Sequence, residues 1–272
     1  MSIRLVRGAA IVMIVGGGAS AQPVLLDDAF ESYALGGLPG GPWSDTTSRI
    51  AAPTVASPTA TIIDTTDAFG NPTRAVQTVD AIGTSSGILS DFSPVNASRV
   101  TADVRIDQFT DVRRGATWSA AVGFLQDTGT DDFNTGPQAV VYAPIGAPEY
   151  RVFVLNDGNF FDFAIPGADI VLDSWVTIDI AMDAAAGSVQ ASVSNPVTGQ
   201  VLGDVTRTFD MWSPADAQYD AVAFFDGEYN TVGGTQGGQA TLDNMVHSVI
   251  PAPGGVAIVG AAGVLFSGRR RG

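Results

Sequence analysis

The sequence predicts an all-β chain folded as a two-sheet antiparallel sandwich, and three observations predict it. Apolar and polar residues alternate with a period of two through several segments. No uninterrupted amphipathic stretch reaches the roughly 10 to 15 residues that a crossover helix of a parallel sheet needs. Thirty-two glycines and fifteen prolines punctuate the 272 residues, and turn signals recur about every ten residues, the rhythm of a sandwich.

In chain order, the first 21 residues read as a cleaved signal peptide. Arg4 and Arg7 precede an apolar run of eleven residues, Gly8 to Gly18, and the small-residue site Ala19-Ser20-Ala21 follows. That run is too short for the roughly 20 residues that cross a bilayer as a helix. Leu35 to Pro58, rich in Gly, Pro, Ser and Thr, reads as a long surface loop with one or two short strands. From Arg99 to Phe109, Val100, Ala102, Val104 and Ile106 share one face and Thr101, Asp103, Arg105 and Asp107 the other, which makes a half-buried strand. Trp175 to Met182 repeats the pattern, and Asp183 to Gly187 turns the chain into Ser188 to Ser194. Further strands are expected at Ala116 to Gln126, Gln138 to Tyr142, Tyr150 to Asn156, Val201 to Phe209, Tyr219 to Phe225 and Gln239 to Val249.

The chain closes with Pro251-Ala-Pro-Gly-Gly255, an apolar segment and Arg269-Arg270-Arg271. Val256 to Gly268 is thirteen residues, and as a helix it rises about 20 Å against a hydrocarbon core of roughly 30 Å. It is a marginal anchor whose arginines keep that end cytoplasmic and the body outside. The expected organisation is a signal peptide at 1–21, a β-sandwich at 22–250 and a sorting or transmembrane tail at 251–272, with apolar helical segments at both termini.

Composition narrows the chemistry. Cysteine and lysine are absent, so disulfides and thiolate-held zinc or iron are excluded. Once both ends are set aside, eight arginines face 28 acidic residues, a body charge near −20. Such a body repels nucleic acid and anionic membrane surfaces, leaves the tail as the only membrane contact, and favours divalent cations. His247 is the single histidine, at the end of the last expected strand, and is not expected to be catalytic.

Two groups of residues carry candidate binding chemistry. Trp43, Tyr142, Phe160, Trp212 and Tyr229 fall in expected loops or edges, where aromatic faces stack on sugar rings. Asp127, Asp131, Asp132 and Asn134 alternate oxygen side chains around a glycine turn, as a calcium loop does, without the terminal glutamate of an EF-hand.

The ends and the body each resemble a known family. Pro-x-Pro, a short apolar helix and a terminal arginine cluster resemble the PEP-CTERM sorting signal, here with Ala252 in place of the namesake glutamate. That resemblance implies an exported protein, cut by signal peptidase, held briefly in the inner membrane and released by an exosortase to the cell envelope or outside. The opening Asp27-Asp28-Ala29-Phe30-Glu31-Ser32-Tyr33 with Gly36-Gly37-Leu38-Pro39 and Trp43, and the closing Ala240-Thr241-Leu242-Asp243-Asn244-Met245-Val246, are similar to the first and last strands of concanavalin A-like lectin/glucanase (LamG-like) domains. Asp173 to Ile178 and the hairpin to Val193 look like that jelly roll's central strands.

This second resemblance implies a jelly roll with its first and last strands side by side and a structural Ca2+ between them. Glu31 and Asp243 are its expected ligands, with Asp28 nearby. The family's glucanase branch arrays its carboxylates as Glu-x-Asp-x-x-Glu, and the three glutamates here, Glu31, Glu149 and Glu228, never form that motif. The expectation is a non-enzymatic, lectin-like surface domain that binds polysaccharide. Its rivals are a structural or adhesive protein without a saccharide ligand and a divergent hydrolase or lyase using aspartates.

Overall fold

The structure, a computed structural model, describes residues 23–45, 60–79, 85–95, 97–109, 117–125, 137–142, 151–155, 164–184, 186–208, 219–228 and 238–250. The leader, the tail and their expected helices lie outside the described residues. Within them the chain is an antiparallel two-sheet jelly-roll sandwich, as the alternation predicts.

Its fifteen strands are β1 (Val24–Asp28), β2 (Trp43–Asp45), β3 (Thr61–Thr66), β4 (Pro72–Val79), β5 (Ser85–Val95), β6 (Ala97–Gln108), β7 (Thr117–Leu125), β8 (Gln138–Tyr142), β9 (Arg151–Leu155), β10 (Ala164–Asp169), β11 (Trp175–Asp183), β12 (Ser188–Ser194), β13 (Val201–Thr208), β14 (Tyr219–Glu228) and β15 (Gln239–Val249). Sheet 1 runs β13-β12-β11-β6-β15-β4-β3, with β1 also on β15, and sheet 2 runs β10-β9-β8-β7-β14-β5-β2.

The two sheets differ in how their sequences read. Sheet 1 alternates in β6 and β11, where the inner face is dry and the outer one partly wet: Val100, Val104, Ile178 and Ile180 enter the core between the sheets, while Thr101, Asp103, Thr177 and Asp179 stay on the outer face. Sheet 2 is apolar on both faces. Ile88, Val122, Phe124, Val222 and Phe224 point into the core, and their neighbours Leu89, Ala121, Leu125, Val140, Phe153, Ala221, Ala223 and Phe225 form a second buried cluster, each 5% exposed or less. This outer face of sheet 2 is therefore not an open polar groove.

Strand β15 joins the parts of sheet 1. Its one edge pairs with β6 along its length, and its other edge is shared, β4 pairing with residues 239–242 and β1 with residues 245–248. Between those partners β15 bulges. Leu242 and Met245 are both fully buried although three positions apart, because the bulge after Asp243, with Asn244 at φ 49°, reverses which residues face inward. At the bottom of the same strand Val249 N–H donates to Pro23 O at 2.9 Å, so the two ends of the body lie together.

Two glycines let the sheet edges meet. A Cβ on Gly203 of β13 would overlap the Pro166 carbonyl of β10, and one on Gly167 would come 2.7 Å from Leu202 O. Gly203→Ala should therefore force the β10 and β13 backbones apart, at roughly 1–3 kcal/mol and a fall of several °C in melting temperature. Gly40→Ala, where an added Cβ meets nothing within 4 Å, should leave the thermal melt unchanged; equal melts for the two variants would refute the close approach.

Candidate functional site

Asp243 sits where β4 and β1 leave a gap on the edge of β15, and it is 2% exposed. Its register partner across the ladder is Asp103 of β6, a like charge on the same outer face. Asp103 is held by the Thr177 hydroxyl at 2.6 Å and by Asn244 Nδ2 at 3.1 Å. Asp243 Oδ1 accepts the Asn244 backbone N–H at 2.8 Å, a bond that the left-handed turn at Asn244 makes possible. Among the described residues no arginine pairs with it.

Thr73 of β4 connects Asp243 to Glu31. Its hydroxyl oxygen lies 2.6 Å from Glu31 Oε1 and 3.3 Å from Asp243 Oδ2. One hydroxyl carries one proton, and the shorter contact takes it. Asp243 Oδ2 then faces a lone pair and gains by holding a proton of its own. Burial, followed by the charges of Asp103 and Glu31, accordingly pushes the Asp243 carboxyl up to about 6, with the Asn244 N–H pulling the other way. Glu31 moves the other way: the Thr73 hydroxyl first, then the Arg74 backbone N–H, hold its carboxyl below the usual range.

Above this chain opens a cavity of about 530 Å³ lined by Glu31, Asp64, Thr65, Pro72, Thr73 and Arg74. The β3–β4 hairpin builds most of it. That hairpin is fastened to the outer face of sheet 1: Arg105 Nη1 donates to Thr65 Oγ1 at 3.0 Å, Trp175 Nε1 to Thr66 O at 3.0 Å, and Gln77 Nε2 to Asp107 Oδ2 at 3.1 Å. Arg105 also stacks over the Trp175 ring at 5.0 Å.

Of the residues the sequence nominates, Glu31 and Asp243 are brought together and Asp28 is not part of their cluster. Asp28 Oδ1 accepts the Phe30 N–H at 2.8 Å, and Oδ2 accepts the Tyr33 hydroxyl at 2.6 Å and Trp43 Nε1 at 2.7 Å. Its carboxylate bolts the turn after β1 to β2. Burial and this bond push the Tyr33 phenol up to about 12.

Trp43 also departs from expectation. It is 6% exposed, its ring packed 5.5 Å from that of Phe30, because β2, a short strand of the kind expected in this segment, turns the indole inward at the sheet edge. Its face is closed to a sugar. Tyr142 ends β8 opposite Arg151, and nothing beyond its backbone is described. Phe160, Trp212, Tyr229, Asp127, Asp131, Asp132 and Asn134 lie outside the described residues.

His247 is a core residue, 1% exposed and packed 4.3 Å from the Phe92 ring, with its imidazole pulled down to about 4 by burial. The sequence reading passed over Thr73 and the whole β3–β4 hairpin. Their signal was present in Asp67-Ala-Phe-Gly-Asn-Pro72, a turn with Gly at φ 82°, between two short alternating runs.

No protein-family model and no curated protein sequence matches the chain. Among solved structures, a mutant of the alginate lyase Aly36B in complex with alginate tetrasaccharide is 16% identical, with a TM-score of 0.51 over 85% of this chain and 98% of that one. Lotus tetragonolobus seed lectin is 13% identical, TM-score 0.48, over 79% and 96% of the two chains. A GH54 arabinofuranosidase is 15% identical, TM-score 0.48, over 70% of this chain and 40% of its own. The chain spans 15% of a matching sialidase. The lyase match covers most of both molecules and shows a shared two-sheet sandwich fold.

The raised Asp243 carboxyl gives a signed pH dependence. Its folded pKa lies above the unfolded value of 3.8, so the folded state holds that proton more tightly, and stability present below pH 3.8 is lost as pH rises through about 6. In chelator-treated protein the melting temperature should fall over that window. Asp243→Asn should flatten this part of the profile, and an unchanged profile in the variant would disprove the assignment.

Proposed function

We propose that this chain is an exported, non-enzymatic, lectin-like domain that binds extracellular polysaccharide and is stapled by calcium between its first and last strands. The observation that carries the reading is the buried Asp243, one hydroxyl away from Glu31, beside an open polar cavity. Calcium takes oxygen ligands only and needs no His or Cys. The Glu31 and Asp243 carboxylates and the Thr73 hydroxyl are the groups that would hold it. Bound there, the ion would neutralise a buried carboxylate that has like-charged neighbours.

Saccharide as the ligand is supported by the alginate tetrasaccharide in the lyase that shares this fold. The non-enzymatic reading is supported by the missing glutamate motif and by the employment of the sheet aspartates. Asp107 accepts from Arg105, Gln77 and Thr241, and Asp179 accepts from Arg99 and Thr101. Export with cleavage by signal peptidase and release by an exosortase-type enzyme belong to the same proposal and rest on the sequence of residues 1–21 and 251–272.

One observation favours a second reading, a structural or adhesive domain. The outer face of sheet 2 is apolar and buried.

Two measurements decide. Calcium at 100 times its Kd should stabilise the protein by about 2.7 kcal/mol, a gain removed by chelator and abolished in Asp243→Asn; a melt insensitive to calcium and chelator takes the metal out of the account. Intact-mass analysis of the exported protein should find a mature chain starting after Ala21 and lacking Arg269 to Arg271, and a retained arginine cluster would refute processing of the tail.

A further inference from the structure

The turn that joins the two cavity-lining strands carries Phe69, 65% exposed. The turn that carries it is locked. Asp67 Oδ1 accepts the backbone N–H groups of Phe69 and Asn71, each at 2.8 Å, Oδ2 accepts Asn71 Nδ2 at 3.1 Å, and Gly70 closes the turn onto Asp67 O. Below the turn, Trp175 and Arg105 fix Thr66 and Thr65 to the sheet. A rigid apolar ring is thus presented to solvent within a few residues of a polar cavity, with no packing duty that explains its exposure.

The cavity's charge limits what lies against that ring. Its lining holds two carboxylates, Glu31 and Asp64, and one guanidinium, Arg74. Arg74 is already committed: Nη1 donates to Tyr33 O at 2.8 Å and to Glu31 O at 3.3 Å, and Nε sits 3.5 Å from Asp64 Oδ1. A calcium ion shared by Glu31 and Asp243 would bring Glu31, Asp64, Asp243 and Arg74 to neutrality and no further. In neither state does the lining carry the net positive charge that would draw in a polyuronate, and the chain as a whole carries −15. Neutral sugars need none: an aromatic face takes their C–H surface, and carboxylate and hydroxyl oxygens accept from their O–H groups.

Resting on the lectin reading above, we propose that the β3–β4 hairpin is the saccharide subsite, with Phe69 as stacking platform and Asp64 as hydroxyl acceptor, and that its ligand is a neutral glycan and not a polyuronate.

Affinity electrophoresis of the full chain in gels containing a neutral β-glucan, a neutral arabinan or alginate tests this. Retardation by a neutral glycan is expected, weakened about tenfold or more, the equivalent of about 1.4 kcal/mol, in Phe69→Ala and in Asp64→Asn, with both variants melting as the parent does. Retardation by alginate alone would overturn the ligand class and leave the lectin reading standing. Neutral-glycan binding that survives both substitutions would overturn the location. Silence in all three gels would bring down the lectin reading itself, and the inference with it.

Discussion

One strand sets the geometry of sheet 1. β15 pairs with β6 on one edge and divides its other edge between β4 and β1. The change of partner coincides with its bulge, since an extra residue is what turns the inward set from Ala240 and Leu242 to Met245 and His247. A bulge exposes backbone and side chain to unusual neighbours, and here it leaves Asp243 in the gap, opposite Asp103 and beneath Thr73. The acidic feature is therefore a consequence of how the first and last strands are seated, not an isolated cluster on the surface.

Two carboxylates do opposite work because their surroundings differ. Asp28 accepts three donors and stays a structural bolt between the turn after β1 and the indole of Trp43. Asp243 is more deeply enclosed, has only one good donor in the Asn244 N–H, and faces like charges. Desolvation without full compensation favours the neutral acid or an added cation. That imbalance is the physical argument for reading this place, and not Asp28, as functional.

The sheets also divide labour. Sheet 2 is enclosed on both faces, which explains continuous apolar runs such as Ala221-Val222-Ala223-Phe224-Phe225 and denies it an open polar groove. Polar chemistry falls to the outer face of sheet 1 and to the hairpin fastened across it. There Trp175 and Arg105 act as anchors, and the exposed ring of the hairpin turn rides on a rigid support.

Much of this was legible in the residues themselves. Alternation located β6, β11, β12, β13 and β15 to within a few residues, since a strand with one dry face and one wet face writes its period into its side chains. Proximity of Glu31 to Asp243 followed from the resemblance of the two terminal strands. What no local pattern encodes is which strand curls over which face. Nothing around Trp43 announces that its indole will be buried, and nothing near Thr73 announces that its hydroxyl will lie between two carboxylates 42 and 170 positions away. The sequence by itself determined the sandwich, its acidity and its freedom from thiol and lysine chemistry, because these depend on periodicity and composition. The tertiary structure alone decided that Asp28 is a bolt, Trp43 a core residue and Asp243 a strained acid, because burial and partners are properties of the assembled sheets.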